Sequence, residues 1–158
     1  MKNLVALLFA LAAASCGKAP EPTPPPLPPQ PAAPAPAAAD GPASLTVKHV
    51  LIAVKGGQSE TAKLEKAEAE KLAFEILSRA RSGEDFDKLV QQYSEDPGKQ
   101  PYTMTNTGTA PGPGEFSRST MFSGFGDVSF RLQVGQVGIA EYDPRTSGYG
   151  YHVIKRVK

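Results

Sequence analysis

The chain has no tryptophan, a single cysteine and two histidines among 158 residues, and its acidic and basic side chains nearly cancel, 16 against 17. Each shortage closes off a class of chemistry. A lone cysteine forms no intramolecular disulfide, and two histidines far apart in the chain give no ligand cluster for a metal. A formal charge of +1 with both signs interspersed offers no footprint for nucleic acid and no basic face for anionic lipid. The apolar run near the N-terminus, from Leu4 to Ala14, is too short to span a bilayer as a mature helix.

That run has another use. Lys2 precedes it and small residues close it, the layout of a secretory signal. The string Leu11-Ala12-Ala13-Ala14-Ser15-Cys16-Gly17 resembles the lipobox of bacterial lipoproteins, with Ala13 where leucine is usual. The resemblance implies that residues 1–16 are a signal peptide ending at Cys16, whose acylation anchors the protein in a lipid membrane of the cell envelope. Multiple acylation holds where one chain would be marginal. Gly17 rather than aspartate after the cysteine places the anchor, in a cell with two membranes, in the outer membrane facing the periplasm. Residues 17–44 then carry eleven prolines and much alanine. This composition cannot form a core and reads as a disordered Pro/Ala linker, reaching roughly 80 Å if extended as polyproline II.

Residues 45–158 have the size and apolar content of one small domain that needs no disulfide. A strand is expected from about Thr46 to Val54, ending at Gly56-Gly57, after which Ser59 or Thr61 can cap a helix. Ala69, Leu72, Ala73, Ile76, Leu77 and Ala80 recur at helical spacing, and Phe86, Leu89, Val90 and Tyr93 repeat the pattern in a shorter helix that Pro97 cannot continue. About twenty residues rich in Gly, Pro and Thr follow, a poor place for regular structure. Met121, Phe122, Phe125, Phe130 and Leu132, broken by Gly124 and Gly126, suit short helical turns. Val137–Tyr142 and Tyr149–Val157 read as strands on either side of a turn at Asp143-Pro144. The order gives an α+β domain in which an antiparallel sheet is covered by helices. His49 falls in its first strand and His152 in its last. Paired in one sheet, those strands would bring two imidazoles together in a buried setting, either as core histidines that tie the sheet or as part of a site.

Lys48-His49-Val50-Leu51-Ile52, Gly83-Glu84-Asp85-Phe86, Tyr93-Ser94-Glu95-Asp96-Pro97, Glu115-Phe116-Ser117-Arg118, Phe125 to Phe130, Val134-Gly135-Gln136-Val137 and Gly150-Tyr151-His152-Val153-Ile154-Lys155 resemble, in that order, the parvulin (PpiC-like) family of peptidyl-prolyl cis-trans isomerases. The resemblance implies a four-stranded antiparallel sheet covered by about four helices, and catalysis of rotation about X-Pro peptide bonds without a cofactor, a metal or a covalent step. It implies a proline pocket formed by Met121, Phe125 and, at the upper wall, Pro113. Asp96 takes the place where parvulins carry Cys or Asp near the rotating amide, against the plainer reading that it ends a helix. His49 and His152 become a hydrogen-bonded pair beneath the pocket, in the catalytic set with Asp96. Phe130 and Leu132 read as core.

Two stretches depart from the family pattern. Thr109 to Gly114 replaces a Gly-Gly-Asp-Leu-Gly string, and Tyr149 stands where a small hydroxyl residue is usual. The implied partners are proline-containing unfolded or nascent exported polypeptides, with the protein expected to act as a monomer. The alternative function is a lipid-tethered peptide-binding chaperone with little or no turnover.

Overall fold

The computed structural model describes residues 41–158, so the expected signal segment, Cys16 and most of the expected linker lie outside the described residues. The fold is α+β, and its axis is β1, Ser44–Ala53. It is the central strand of a five-stranded sheet ordered β3-β2-β1-β5-β4, with β2 at Tyr102–Thr105, β3 at Phe116–Ser117, β4 at Val137–Ala140 and β5 at Gly150–Arg156. β1 runs antiparallel to β2 on one side and to β5 on the other, and β4 closes the far edge antiparallel to β5.

Side chains on a strand alternate between faces, and here both faces are covered. Val50 and Ile52 of β1 and Val54 just after it, with Tyr151 and Val153 of β5, pack against α1 (Lys66–Arg81) and α2 (Phe86–Tyr93) through Ala69, Ala73, Ile76, Leu77, Leu89 and Val90. Leu45 and Val47, with Ile154, meet α3 (Ser123–Arg131) on the other face through Phe125 and Phe130. Leu132 packs at the edge of that second cluster, as its apolar spacing suggests. The odd-numbered positions of β1 therefore point at α3, and His49 is one of them. α2 starts on a side-chain cap, Asp85 accepting from the Asp87 and Lys88 backbone N–H groups at 2.9 and 3.3 Å, an N-terminal device favoured by Asp.

Three features differ from the sequence expectation. The sheet has five strands rather than four, because the two residues of β3 add to β2 in parallel. Three α-helices and a 3-10 turn at Arg118–Thr120 stand where about four helices were expected. α1 is not capped by Ser59 or Thr61, whose hydroxyls bond each other at 3.3 Å. It begins after Glu65, whose N–H donates to the Glu68 carboxylate at 3.1 Å. The intervening residues are held in a loop: Lys55 N–H donates to Leu64 O at 2.8 Å and Gln58 N–H to Gly148 O at 2.9 Å. The loop after β1 is thereby docked on the loop before β5.

Candidate functional site

The β1–β5 register pairs His49 with Ile154 and Leu51 with His152, which sets the two histidines diagonally on one face of neighbouring strands. Their ring centroids lie 5.4 Å apart and tilted by 44°. Phe125 of α3 stands edge-on over both, 5.2 Å from each ring, and Tyr102 of β2 approaches His49 to 5.1 Å. All but Tyr102 are buried.

β2 pairs with β1 only as far as Val47 opposite Tyr102, which leaves the backbone groups of the second half of β1 to be satisfied on that edge. The segment after α2 does this. Ser94 Oγ accepts from Leu51 N–H at 3.1 Å, Glu95 Oε1 accepts from Ala53 N–H at 3.0 Å, and Glu95 N–H donates to Leu51 O at 2.9 Å. Strapped to β1 in this way, residues 94–96 hold the Asp96 carboxylate opposite His49. His49 Nε2 donates to Asp96 Oδ2 at 3.2 Å, the Tyr102 hydroxyl donates to the same oxygen at 3.0 Å, and Gly98 N–H donates to Oδ1 at 3.2 Å.

The hydrogen-bonded imidazole pair implied by the family resemblance is not what the geometry shows. A carboxylate is the stronger acceptor and takes the His49 proton, while Nδ1 of His49 and both ring nitrogens of His152 have no hydrogen-bond partner among the described residues. The two rings meet as tilted faces beneath Phe125, not nitrogen to nitrogen.

These partners set the ionisation of the site. The His49 hydrogen bond, helped by Gly98 N–H and Tyr102, outweighs burial and lowers the Asp96 carboxyl to about 2. Burial and the Asp96 charge push the Tyr102 hydroxyl up to about 12. Burial, reinforced by neighbouring His49, lowers His152 to about 3 from an ordinary 6.5. At neutral pH the centre holds an ionised carboxylate, a protonated phenol and a neutral His152.

His152 gives the fold an acid-sensitive limb with a definite sign. Below about pH 6.5 the unfolded chain takes up a proton on this residue that the folded chain refuses until about pH 3. Its contribution to stability is therefore complete above pH 6.5 and falls by up to about 1.4 kcal/mol per pH unit on acidification. Asp96 is silent over most of that window, because its own contribution is lost only from about 3.8 down towards 2. Urea unfolding of the wild type and of His152→Gln at pH 7 and pH 4.5 should show the wild type losing about 2 kcal/mol more than the variant. Equal losses would mean that His152 protonates freely in the folded state.

Above these groups opens a cavity of about 370 Å³. Met121, Phe122, Phe125 and Leu51 form its apolar wall. His49, His152, Asp96 and Tyr102 line it beside them, and Ser59, Thr61, Glu95, Pro97 and Tyr149 lie around it. Of the residues singled out from the sequence, the structure brings together His49, Asp96, His152, Met121 and Phe125. Pro113 is not with them: it sits on the exposed loop between β2 and β3 and does not line the cavity. Phe122 stands by the cavity at the start of α3, in T-shaped contact with Tyr149 at 5.7 Å.

Sequence reasoning missed Tyr102, Phe122 and the Ser94–Glu95 strap as parts of the site. Phe122 was legible as the neighbour of Met121. Tyr102 carried no local signal, since only pairing with β1 directs it to Asp96. No group of three or more His, Cys, Asp or Glu side chains among the described residues could hold a metal ion.

Residues 36–158 match the family model described as the PPIC-type PPIase domain. The foldase protein PrsA of Geobacillus sp. (strain WCH70) is 44% identical over 86 residues, 54% of this chain and 27% of that protein. Foldase protein PrsA 4 of Bacillus cereus is 40% identical over 86 residues, with the same shares covered. The chain thus spans only about a quarter of the length of these relatives. Among solved structures, the peptidyl-prolyl isomerase ESS1 from Candida albicans is similar with a TM-score of 0.57 at 21% identity, over 73% of this chain and 63% of that one. TbPIN1 is similar with a TM-score of 0.56 at 22% identity, over 73% and 98%. At such identities these two likenesses are of fold alone.

Proposed function

Because the chain belongs to the family of PPIC-type peptidyl-prolyl cis-trans isomerase domains, we propose that its cavity receives a prolyl ring and accelerates rotation of the X-Pro bond by binding the twisted amide. The observation that carries this reading is the apolar wall of Met121, Phe122 and Phe125 standing directly over His49, His152 and Asp96. Rotation faces about 18–20 kcal/mol because it breaks amide resonance. At the top of that barrier the C–N bond has lost its double-bond character and the charge separation of the planar amide has fallen. An apolar wall favours that less polar state over the planar one, whose dipole prefers water, so binding is differential and lowers the barrier without a covalent step.

The polar groups hold this wall in place. Asp96 is occupied by three donors, which makes it the anchor that fixes His49 and Tyr102 under the ring. Neutral His152 supports Phe125 from below without placing a charge near the apolar face. His49, Asp96 and His152 are the residues to which we assign catalytic roles, with Met121 and Phe125 binding the proline. The relatives bear the name foldase, which favours proline-containing exported polypeptides in an unfolded state as clients. In the same reading the protein works as a monomer, with residues 1–16 as signal peptide, acylated Cys16 as membrane anchor in the envelope, and the Pro/Ala stretch to residue 44 as spacer to the domain.

Among the described residues, the carboxylates lining the cavity are Glu95 and Asp96, and no lysine or arginine lines it. Lys55, the nearby cation after β1, is paired with Glu65 at 2.5 Å. Peptides with a phosphorylated or acidic residue before proline should therefore be poor substrates. A protease-coupled assay over a panel of X-Pro peptides tests both points, with kcat/KM for Leu-Pro expected to exceed that for Glu-Pro by about tenfold, or 1.4 kcal/mol. Acceleration of none of the peptides by the folded protein would remove the isomerase and leave the tethered peptide-binding chaperone. That second reading is favoured by one observation, the absence of Pro113 and its loop from the cavity rim.

A further inference from the structure

We infer that the proline-rich segment 22–39 of this chain docks in its own cavity, with the Leu27-Pro28 pair as the occupant, and competes there with client peptides. The inference rests on the reading of the cavity as a proline site, and it adds a built-in competitor. Its first support is where the described chain begins. A side chain at Gly41 would meet Asn106 Nδ2 at 3.4 Å, and Ala43 O accepts from Asn106 N–H at 2.8 Å, so the entry point into β1 is fixed against Asn106. Asn106 in turn lines a surface depression of about 500 Å³ together with Arg118, Asp127 and Met121. Met121 is also a wall of the proline cavity. The preceding segment thus leaves the domain at the rim of the cleft that recognises proline.

The second support is chemistry. Residues 22–39 contain nine prolines and no charged residue, which suits a cavity whose charged lining is two carboxylates. Six of these prolines follow a residue other than proline, at Glu21-Pro22, Thr23-Pro24, Leu27-Pro28, Gln30-Pro31, Ala33-Pro34 and Ala35-Pro36. Leu27 is the apolar one with enough bulk to lie on the Phe122 and Tyr149 rings.

Reach is no obstacle. At about 3.1 Å per residue in an extended proline-rich chain, Leu27 can lie roughly 40 Å from Gly41, about three times the ~13 Å radius of gyration of a domain of this size. A tethered segment acts at an effective concentration of the order of millimolar. At that concentration the segment occupies half or more of any site that binds it with a Kd of about a millimolar or tighter.

The test uses the full-length chain in detergent micelles, with carbon-13 in the methionine methyl groups, beside Pro28→Ala/Pro29→Ala and a variant with all nine prolines of residues 22–39 changed to alanine. Met121 reports on the cavity, and fully buried Met104 is the reference. In the variants the Met121 methyl signal should move while Met104 stays. The apparent KM of an added Leu-Pro peptide should fall by about two- to fivefold at constant kcat, as expected when a millimolar competitor is removed. An unchanged Met121 signal together with an unchanged KM overturns the inference while leaving the isomerase intact. Movement of Met121 without turnover in any of the proteins supports the docking and sinks the catalytic reading instead. A Met121 signal that depends on protein concentration overturns docking within one chain, in favour of one molecule's tail entering another.

Discussion

Phe125→Ala is expected to lose roughly two orders of magnitude in kcat/KM for prolyl isomerisation while the domain remains folded. Phe125 touches both histidines of the site edge-on at 5.2 Å and forms the apolar wall of the cavity with Phe122 and Met121. If Phe125→Ala forfeits about 100 Å² of the prolyl ring's own apolar burial against this wall in the twisted state, the loss at about 25 cal/mol per Å² is ~2.5 kcal/mol, close to a hundredfold in rate. The same side chain is only 3% exposed, and truncating a buried Phe costs about 3–5 kcal/mol of stability. Activity must therefore be read with the folded fraction, from near-UV circular dichroism and a urea midpoint. Phe125→Leu separates the two effects: it restores most of the packing volume but not the flat face, and should recover stability well before activity. A folded Phe125→Ala protein within threefold of wild type would place the proline elsewhere than this cavity.

The second large effect is structural and falls on Gly150→Ala. Gly150 opens β5 opposite Ala53, and a Cβ there would collide with the backbone carbonyl oxygen of Ile52. Backbone cannot swing aside as the tip of a side chain can, so the first pairing of β5 with β1 has to give. Ser147 Oγ donates to Gly150 O at 2.8 Å from a buried position, which ties the turn before the strand to the same point. A cost above about 3 kcal/mol is expected, a large part of the 5–15 kcal/mol that holds a typical domain together. The thermal midpoint should drop by about 15 °C or more. Val134→Ala, at a position 63% exposed, should stay within about 0.5 kcal/mol and serves as the comparison. A midpoint for Gly150→Ala within about 5 °C of wild type would show that β5 can shift its register without harm.

How much of this was legible in the sequence follows from the range of the forces involved. The cores of β1, α1, α2 and β5 could be read because each carries its own apolar period, and burial follows that period. The two histidines could be placed in the outer ends of the chain and in one sheet for the same reason. β2 could not be read: Tyr102–Thr105 lies in a stretch of Gly, Pro and Thr, and its extended form comes from β1, which pairs with it from Ser44 to Val47. The start of α1 was misplaced because Ser59 and Thr61 are good caps by type, whereas the loop from Lys55 to Leu64 is held by backbone bonds between its own ends and to Gly148. In the site, residue identities were readable and their partners were not. Sequence suggests that His49, His152 and Asp96 converge, but which acceptor wins the His49 proton depends on where the strap of residues 94–96 is fastened. Pro113 failed as a wall for a related reason. The chain lacks the Gly-Gly-Asp-Leu-Gly string that would bring it to the rim, and the loop that bears it is exposed.

The β1–β5 pairing also sets a timetable. Val47 faces Arg156 and His49 faces Ile154, so the two halves of the cleft come from the first and last strands of the domain. Contacts so distant in sequence form late, after most of the loop-closure entropy has been met. A chain synthesised N-terminus first can assemble α1 and α2 early, yet it has no cleft until β5 has emerged. The cleft is thus the last part of the domain to form, after the helices that cover the opposite face of the sheet.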